Sequence, residues 1–364
     1  MEDTPVKFGS GPFYAEVRRR VQNHLATARA TGRDDFRYFF KAALILTWFA
    51  ASWVLLVFFA HTWSVGLLGA ASLGFAMAGI GFNVMHDGGH GACSRMPSVN
   101  RAMALSLELL GGSSYIWRWK HNIVHHTYSN IGTVDDDLEV GPWARMAPHQ
   151  PRRWFHRYQQ FYMWILFGML PFKWYLIDIR NFRRRWFGRH HFPAAKGIDR
   201  GAFFAGKIIL PLWALVIPLF FHAPWIVLPI YFLSFFLLGI VLSVTFLLAH
   251  CVEDAQCAPL SESGRVPTEW AVHQVETTVD FAPKNWLLSW YLGGLNFQIE
   301  HHLFPQVSHV FYPSIAPLVR KACSDFGVRY SVRPSFRSAV AAHYLWLKRM
   351  GAGRDATPVA ELVS

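Results

Sequence analysis

Residues 121–130 read HNIVHHTYSN, with three histidines inside six positions. On a helix, His121 and His125 fall on one face, four residues apart, and His126 sits one residue round from them. Further pairs stand at His86 and His90 in HDGGH and at His301 and His302 in QIEHH, and His250 ends an apolar run, LLAH. Neutral imidazole binds iron, zinc and copper, and two histidines four apart on a helix form a clamp for one ion. Eight such side chains exceed what a single ion accepts, so two metal ions is the economical reading. Soluble di-iron bundles use glutamates with Glu-x-x-His pairs, whereas this chain offers clustered histidines for similar oxygen chemistry. Asp87, Asp135, Asp136, Asp137 and Glu300 lie beside the clusters and are expected to accept the other ring N–H of a metal-binding histidine. The sequence leaves open whether His273 and His309 bind metal or only support it. His61, His149, His156, His190, His191, His222 and His343 read as surface or core residues.

The elements that position these side chains are apolar. Of 364 residues 52% are hydrophobic and 16% aromatic, a composition too greasy for an ordinary soluble domain. The runs at 42–60 and 64–85 each approach the ~20 residues that a spanning helix needs. Only HTW separates them, which predicts one transmembrane hairpin, and the runs at 203–222 and 225–249 predict a second. A shorter stretch at 161–177 is broken by Pro171 and carries Lys173, and is expected to lie at the interface rather than to span. The turns at 61–63 and 222–224 hold no Lys or Arg, whereas Arg18–Arg20, Arg152, Arg153, Arg157 and Arg183–Arg185 fall on the other side. By the positive-inside tendency both termini, the middle segment and all eight histidines are cytoplasmic.

The expectation is therefore an all-α integral membrane protein, with four transmembrane helices in two hairpins and a cytoplasmic helical cap holding a dimetal site. One domain, 1–364, would divide into an N-terminal segment (1–41), a first hairpin (42–85), a cap segment (86–202), a second hairpin (203–250) and a further cap segment (251–364). The net charge of +12 suits an anionic membrane surface or a phosphate-bearing ligand, and no nucleic-acid-binding motif accompanies it. Cys93, Cys251, Cys257 and Cys323 show no paired spacing and read as ordinary thiols. The N-terminus, MEDTPVKFGS, lacks the layout of a cleaved signal.

HDGGH, HNIVHH and QIEHHLFP, in this order and with a long apolar insertion before the last, resemble the three histidine boxes of the membrane fatty acid desaturases. WAVHQVETTVDFA at 270–282 and GGLNFQIEHHLFPQVSHVFYP at 293–313 extend the likeness, which covers roughly 40–330. Gln298, where many relatives carry His, resembles the front-end branch of delta-6 and delta-5 type, which inserts a double bond between an existing one and the carboxyl end. The resemblance implies two iron ions, O2 as co-substrate and an acyl-CoA or acyl-lipid substrate. It also implies metal ligation by His86, His90, His121, His125, His126, His250, His301 and His302, with Gln298 a weak ligand, a ligand through water or only a hydrogen-bonding partner. No His-Pro-Gly-Gly haem motif is present, so electrons are expected from a separate cytochrome b5, ferredoxin or rubredoxin with its reductase. Phe246 stands where the stearoyl branch places an Asn ligand.

Trp117, Arg118, Trp119 and Lys120, just before the central cluster, are expected to share in substrate binding. A CoA pyrophosphate would be met there or at Arg183–Arg185. The same scaffold also serves hydroxylases, ketolases and acetylenases. A metal-handling membrane protein is a further alternative, although transport ligands belong at mid-bilayer rather than at helix ends.

Overall fold

The computed structural model describes residues 6–28, 30–138, 140–255 and 264–353, and Cys257 lies outside them. The fold is mostly helical. Its helices are α1 (Phe13–Thr27), α2 (Phe36–Phe59), α3 (Trp63–His90), α4 (Pro97–Ala104), α5 (114–128), α6 (Gln159–Gly168), α7 (Leu170–Arg184), α8 (Gly197–Leu219), α9 (Pro224–His250), α10 (Trp270–Glu276), α11 (Trp286–Tyr291), α12 (Gln298–Leu303), α13 (Tyr312–Phe326) and α14 (Phe336–Ala352).

Four of these, α2, α3, α8 and α9, are long and apolar enough to cross a membrane. Their starts are set by local chemistry. The Asp35 carboxylate accepts the Arg37 N–H at 2.8 Å, Thr62 Oγ1 accepts the Val65 N–H at 3.4 Å, and Pro224 occupies the first turn of α9. Small residues on α3 let α9 approach closely: a Cβ on Gly74 would lie 2.7 Å from the Ser234 carbonyl oxygen. The lipid-facing positions of α2 and α8, such as Phe40, Phe59, Ile208 and Leu212, are exposed, and the shared core runs through Ile45, Leu73, Met77, Ile80 and Leu248.

One feature differs from the expected all-α arrangement. Three short strand pairs pin distant segments: Lys7–Gly9 with Arg265–Glu269, Trp186–Phe187 with His190–His191, and Asp280–Phe281 with Val332–Arg333. None exceeds five residues, too short to show a period-2 pattern in the sequence. The apolar stretch at 161–177 is two helices, α6 and α7, which break just before Pro171, and neither is a candidate span.

The turn after α11 sets the height of the last histidine pair. Gly293 and Gly294 have φ of +60° and +67°, and a Cβ on Gly293 would lie 2.4 Å from the Phe82 carbonyl oxygen. Asn83 ties the same turn down, its Nδ2 donating to the Tyr291 carbonyl at 2.8 Å. Gly293→Ala therefore meets both strain and a backbone clash, and thermal unfolding is expected to show a loss of about 1–3 kcal/mol.

Candidate metal centre

All eight boxed histidines meet at one end of α3 and α9. His86 and His90 close α3, His250 closes α9, His121, His125 and His126 lie on α5, and His301 and His302 lie on α12. The ring nitrogens of His86, His90, His121 and His301 all lie within 4.8 Å of one another, as do those of His125, His250 and His302. A third group, His126, His301 and His302, bridges the first two.

The local winding delivers this convergence. Gly81–Met85, directly before His86, and Arg118–His125 are π-helical, with hydrogen bonds closing five residues apart instead of four. At this wider winding both the fourth and fifth residue after His121 return to its side. His121 and His125 rings stack with centroids 5.1 Å apart, and His121 and His126 Nε2 atoms stand 3.3 Å apart. An α-helix would have turned His126 away from that line, so the geometry corrects the α-helical spacing read from sequence.

The donor set fits a metal. Six of the eight leave one buried ring nitrogen without a hydrogen-bond partner among the described residues: Nε2 of His90, His125, His250, His301 and His302, and Nδ1 of His126. Buried polar atoms of this kind are rare unless something else satisfies them. Four of the opposite nitrogens are held by neighbouring oxygens. His125 Nδ1 donates to Asp135 at 3.0 Å, His302 Nδ1 to Gln274 Oε1 at 2.8 Å, His301 Nδ1 to the Tyr312 hydroxyl at 3.2 Å, and His250 Nδ1 to Ser129 Oγ at 3.5 Å. The Asp135 and Gln274 oxygens can only accept, which fixes the tautomers of His125 and His302 and aims their free lone pairs inward.

Electrostatics agree. Burial, aided by neighbouring imidazoles, holds His126, His301 and His302 well below the usual imidazole range, which keeps them neutral and able to bind a cation. At His125 burial works the same way, but the Asp135 carboxylate outweighs it and raises the group.

The acidic residues divide in ways the sequence did not show. Asp135 holds His125, and Asp137 lies 3.6 Å from His121 and 3.8 Å from His125, whereas Asp136 pairs with Lys120 at 3.1 Å. Asp87, expected to support a box histidine, instead accepts from Ser308, from the His309 N–H and from His309 Nδ1, at 2.9–3.2 Å. Its carboxylate is taken because α3 ends against the 304–312 segment. Glu300 contacts no box imidazole either: the Tyr330 hydroxyl lies 2.9 Å from it and 2.6 Å from Asp280. Burial, then Asp280, pushes Glu300 well above the carboxylate range.

His309 and His273 lie outside the three groups. His309 Nε2 accepts from Lys41 at 2.9 Å, and His273 Nε2 donates to the Ser129 carbonyl at 2.8 Å. Gln298 is buried against the His250 imidazole. The Trp117 indole stacks on His121, with centroids 4.6 Å apart, and borders His86 and His90, while a Cβ on Gly89 would strike it. Trp119 packs away from the site, Arg118 faces Asp199 at 3.8 Å, and Lys120 bridges Asp136 and Asp137. Sequence reasoning missed Gln274, Tyr312 and Ser129; the first two lie 28 and 11 residues from the histidines they hold.

The fatty acid desaturase family profile matches residues 61–334. An sn-1 linoleoyl-lipid 6-desaturase of Arthrospira platensis is 36% identical over 98% of this chain and 98% of its own length. A protein of the same name from Synechocystis sp. is 34% identical over 93% of this chain and 95% of its own. An acyl-lipid (8-3)-desaturase of Physcomitrium patens is 35% identical over 93% of this chain and 72% of its own. With eight buried histidines gathered at the ends of apolar helices, and with this likeness along nearly its whole length, the chain belongs to the fatty acid desaturase family and is a membrane oxidoreductase of the front-end fatty acyl desaturase type.

Proposed function

We propose that the chain desaturates a glycerolipid-bound acyl chain such as linoleoyl, placing the new double bond on the carboxyl side of an existing one. The observation that carries the reading is the paired histidine groups with their inward, unpartnered nitrogens. His86, His90, His121 and His301 would hold one iron ion and His125, His250 and His302 the other, with His126 between them. Two iron ions bound there would supply the O2 activation needed to remove two hydrogens from adjacent unactivated carbons. The protein's own part is to aim and dry the site. Asp135, Asp137, Gln274 and Tyr312 orient the imidazoles, and the Phe246 ring, 5.1 Å from His125 and 4.7 Å from His250, keeps water from the second group.

Support for a lipid-bound rather than CoA-bound substrate comes from two sides. The relatives above are named for acyl-lipid substrates. Arg118 and Lys120, one of the two places expected to meet a pyrophosphate, face Asp199, Asp136 and Asp137. The distribution of Lys and Arg supports two transmembrane hairpins with the histidine site, its helical cap and both termini cytoplasmic, in one domain. Electrons would come from a separate one-electron carrier such as cytochrome b5, ferredoxin or rubredoxin.

The test is a fatty acid methyl ester profile of cells expressing the chain and fed linoleate and α-linolenate, beside a His301→Ala control. A control-absent product with one more double bond on the carboxyl side is expected; a hydroxylated or keto product would move the chain to the oxygenase branch. In the same assay Gln298→His is expected to keep at least about a tenth of the product, because an imidazole can replace the amide beside His250, while His301→Ala falls below detection. Equal loss in both would make the amide itself essential.

A further inference from the structure

An open groove of about 550 Å³ runs between α6 and α14, away from the histidines, lined by Trp164 on α6 and by Phe336, Arg337, Val340, Ala341 and Tyr344 on α14. The α14 residues recur at three- and four-residue intervals and so form one helix face. Its depth can be read from α9. Ser243 Oγ donates to the Phe167 carbonyl at 3.3 Å, and a Cβ on Gly239 would lie 2.6 Å from the Gly168 carbonyl oxygen. These positions precede His250 by seven and eleven residues, about 10 and 16 Å along the helix. At the other end His343 on α14 donates from Nδ1 to the Cys251 carbonyl at 2.8 Å, one residue past His250. The groove thus lies beside the last turns of α9, at the end that carries His250. Phe161 and Ile165, 61% and 63% exposed, continue its apolar surface on α6. Arg337 is exposed at the rim and forms no ion pair among the described residues.

We propose that this groove binds one anionic glycerolipid of the bilayer, with an acyl chain along Trp164, Val340, Ala341 and Tyr344 and its phosphate at Arg337. A lipid is the occupant because the exposed apolar wall continues over Phe161 and Ile165, and an anionic headgroup would meet Arg337, a cation that no carboxylate among the described residues neutralises. A lipid seated there steadies α14, and through His343 and the Cys251 carbonyl it steadies the end of α9 that carries His250.

The test is native mass spectrometry of the full chain after exchange into phosphatidylglycerol or phosphatidylcholine. One retained phosphatidylglycerol per chain is expected, with weaker retention of phosphatidylcholine. Ala341→Trp, which fills the groove, should cut retention at least tenfold, and Arg337→Glu should abolish the preference for the anionic lipid. Arg337 is exposed, so its variant keeps the test decisive if Ala341→Trp fails to fold. Equal retention of both lipids by the unmodified chain, or retention unchanged in the variants, would overturn the proposal. A lipid-free pair of chains that Ala341→Trp dissociates would also overturn it, by assigning the groove to a second copy.

Discussion

Alanine at position 125 will abolish double-bond formation while leaving the membrane fold in place. His125 is fully buried, its Nε2 joins His250 and His302 within 4.8 Å, and its Nδ1 is held by Asp135. Losing an outer hydrogen-bond partner of a metal-binding histidine costs roughly 10–100-fold in affinity or activity. Asp135→Asn should fall in that range, and His125→Ala well beyond it. The fold survives because Asp135 keeps the Asn130 and Asp137 N–H groups, both at 3.0 Å, as partners. Metal content by mass spectrometry and the methyl ester profile check this together. A His125→Ala protein with normal metal content and near-normal product would remove His125 from the site.

The second large effect falls on stability. Asp87→Ala will strand the Ser308 hydroxyl, the His309 N–H and His309 Nδ1, all of which donate to Oδ2 of Asp87. It also leaves Lys41, 4% exposed and 2.9 Å from His309, buried without the carboxylate that balances it. Breaking a buried charged network from one side costs about 3–5 kcal/mol. Thermal unfolding of the purified chain in detergent should therefore show a large drop for Asp87→Ala. Lys41→Met added to Asp87→Ala should recover part of it, because cation and anion then leave together. A simple sum of the two single losses would show that the network is not coupled.

The positions of the histidines were legible because ligand chemistry demands a residue type, and type is written directly in the sequence. Spacing, order and placement at the ends of apolar runs brought His86, His90 and His250 into one group with histidines on distant segments, and the structure gathers all eight. The carboxylates were less legible. Asp87 and Glu300 adjoin box histidines in sequence, yet α3 and α12 turn them toward His309 and Tyr330, since neighbouring residues on a helix point in different directions. Gln274 and Tyr312 fall within the 270–282 and 293–313 stretches, but nothing there marked their role, because a hydrogen bond to an imidazole can come from many side chains and from any distance along the chain. The winding of 118–125 was hidden for another reason: the same residues suit α and π turns, and packing decides between them.

That winding has an evolutionary consequence. A π turn amounts to one residue more than an α-helix would use for the same path, so a one-residue deletion between Arg118 and His125 would let the helix rewind as a regular one. The helix beyond would keep its place, but a deletion between His121 and His125 would leave His125 and His126 three and four residues after His121, in place of the four-and-five spacing that the π winding returns to one side. The segment can accept substitutions but not changes of length, whereas the connections around the short strand pairs have no such frame to keep. Length variation among descendants of this chain should therefore collect away from 118–126, and a natural variant shortened there would have surrendered the chemistry even with every histidine retained.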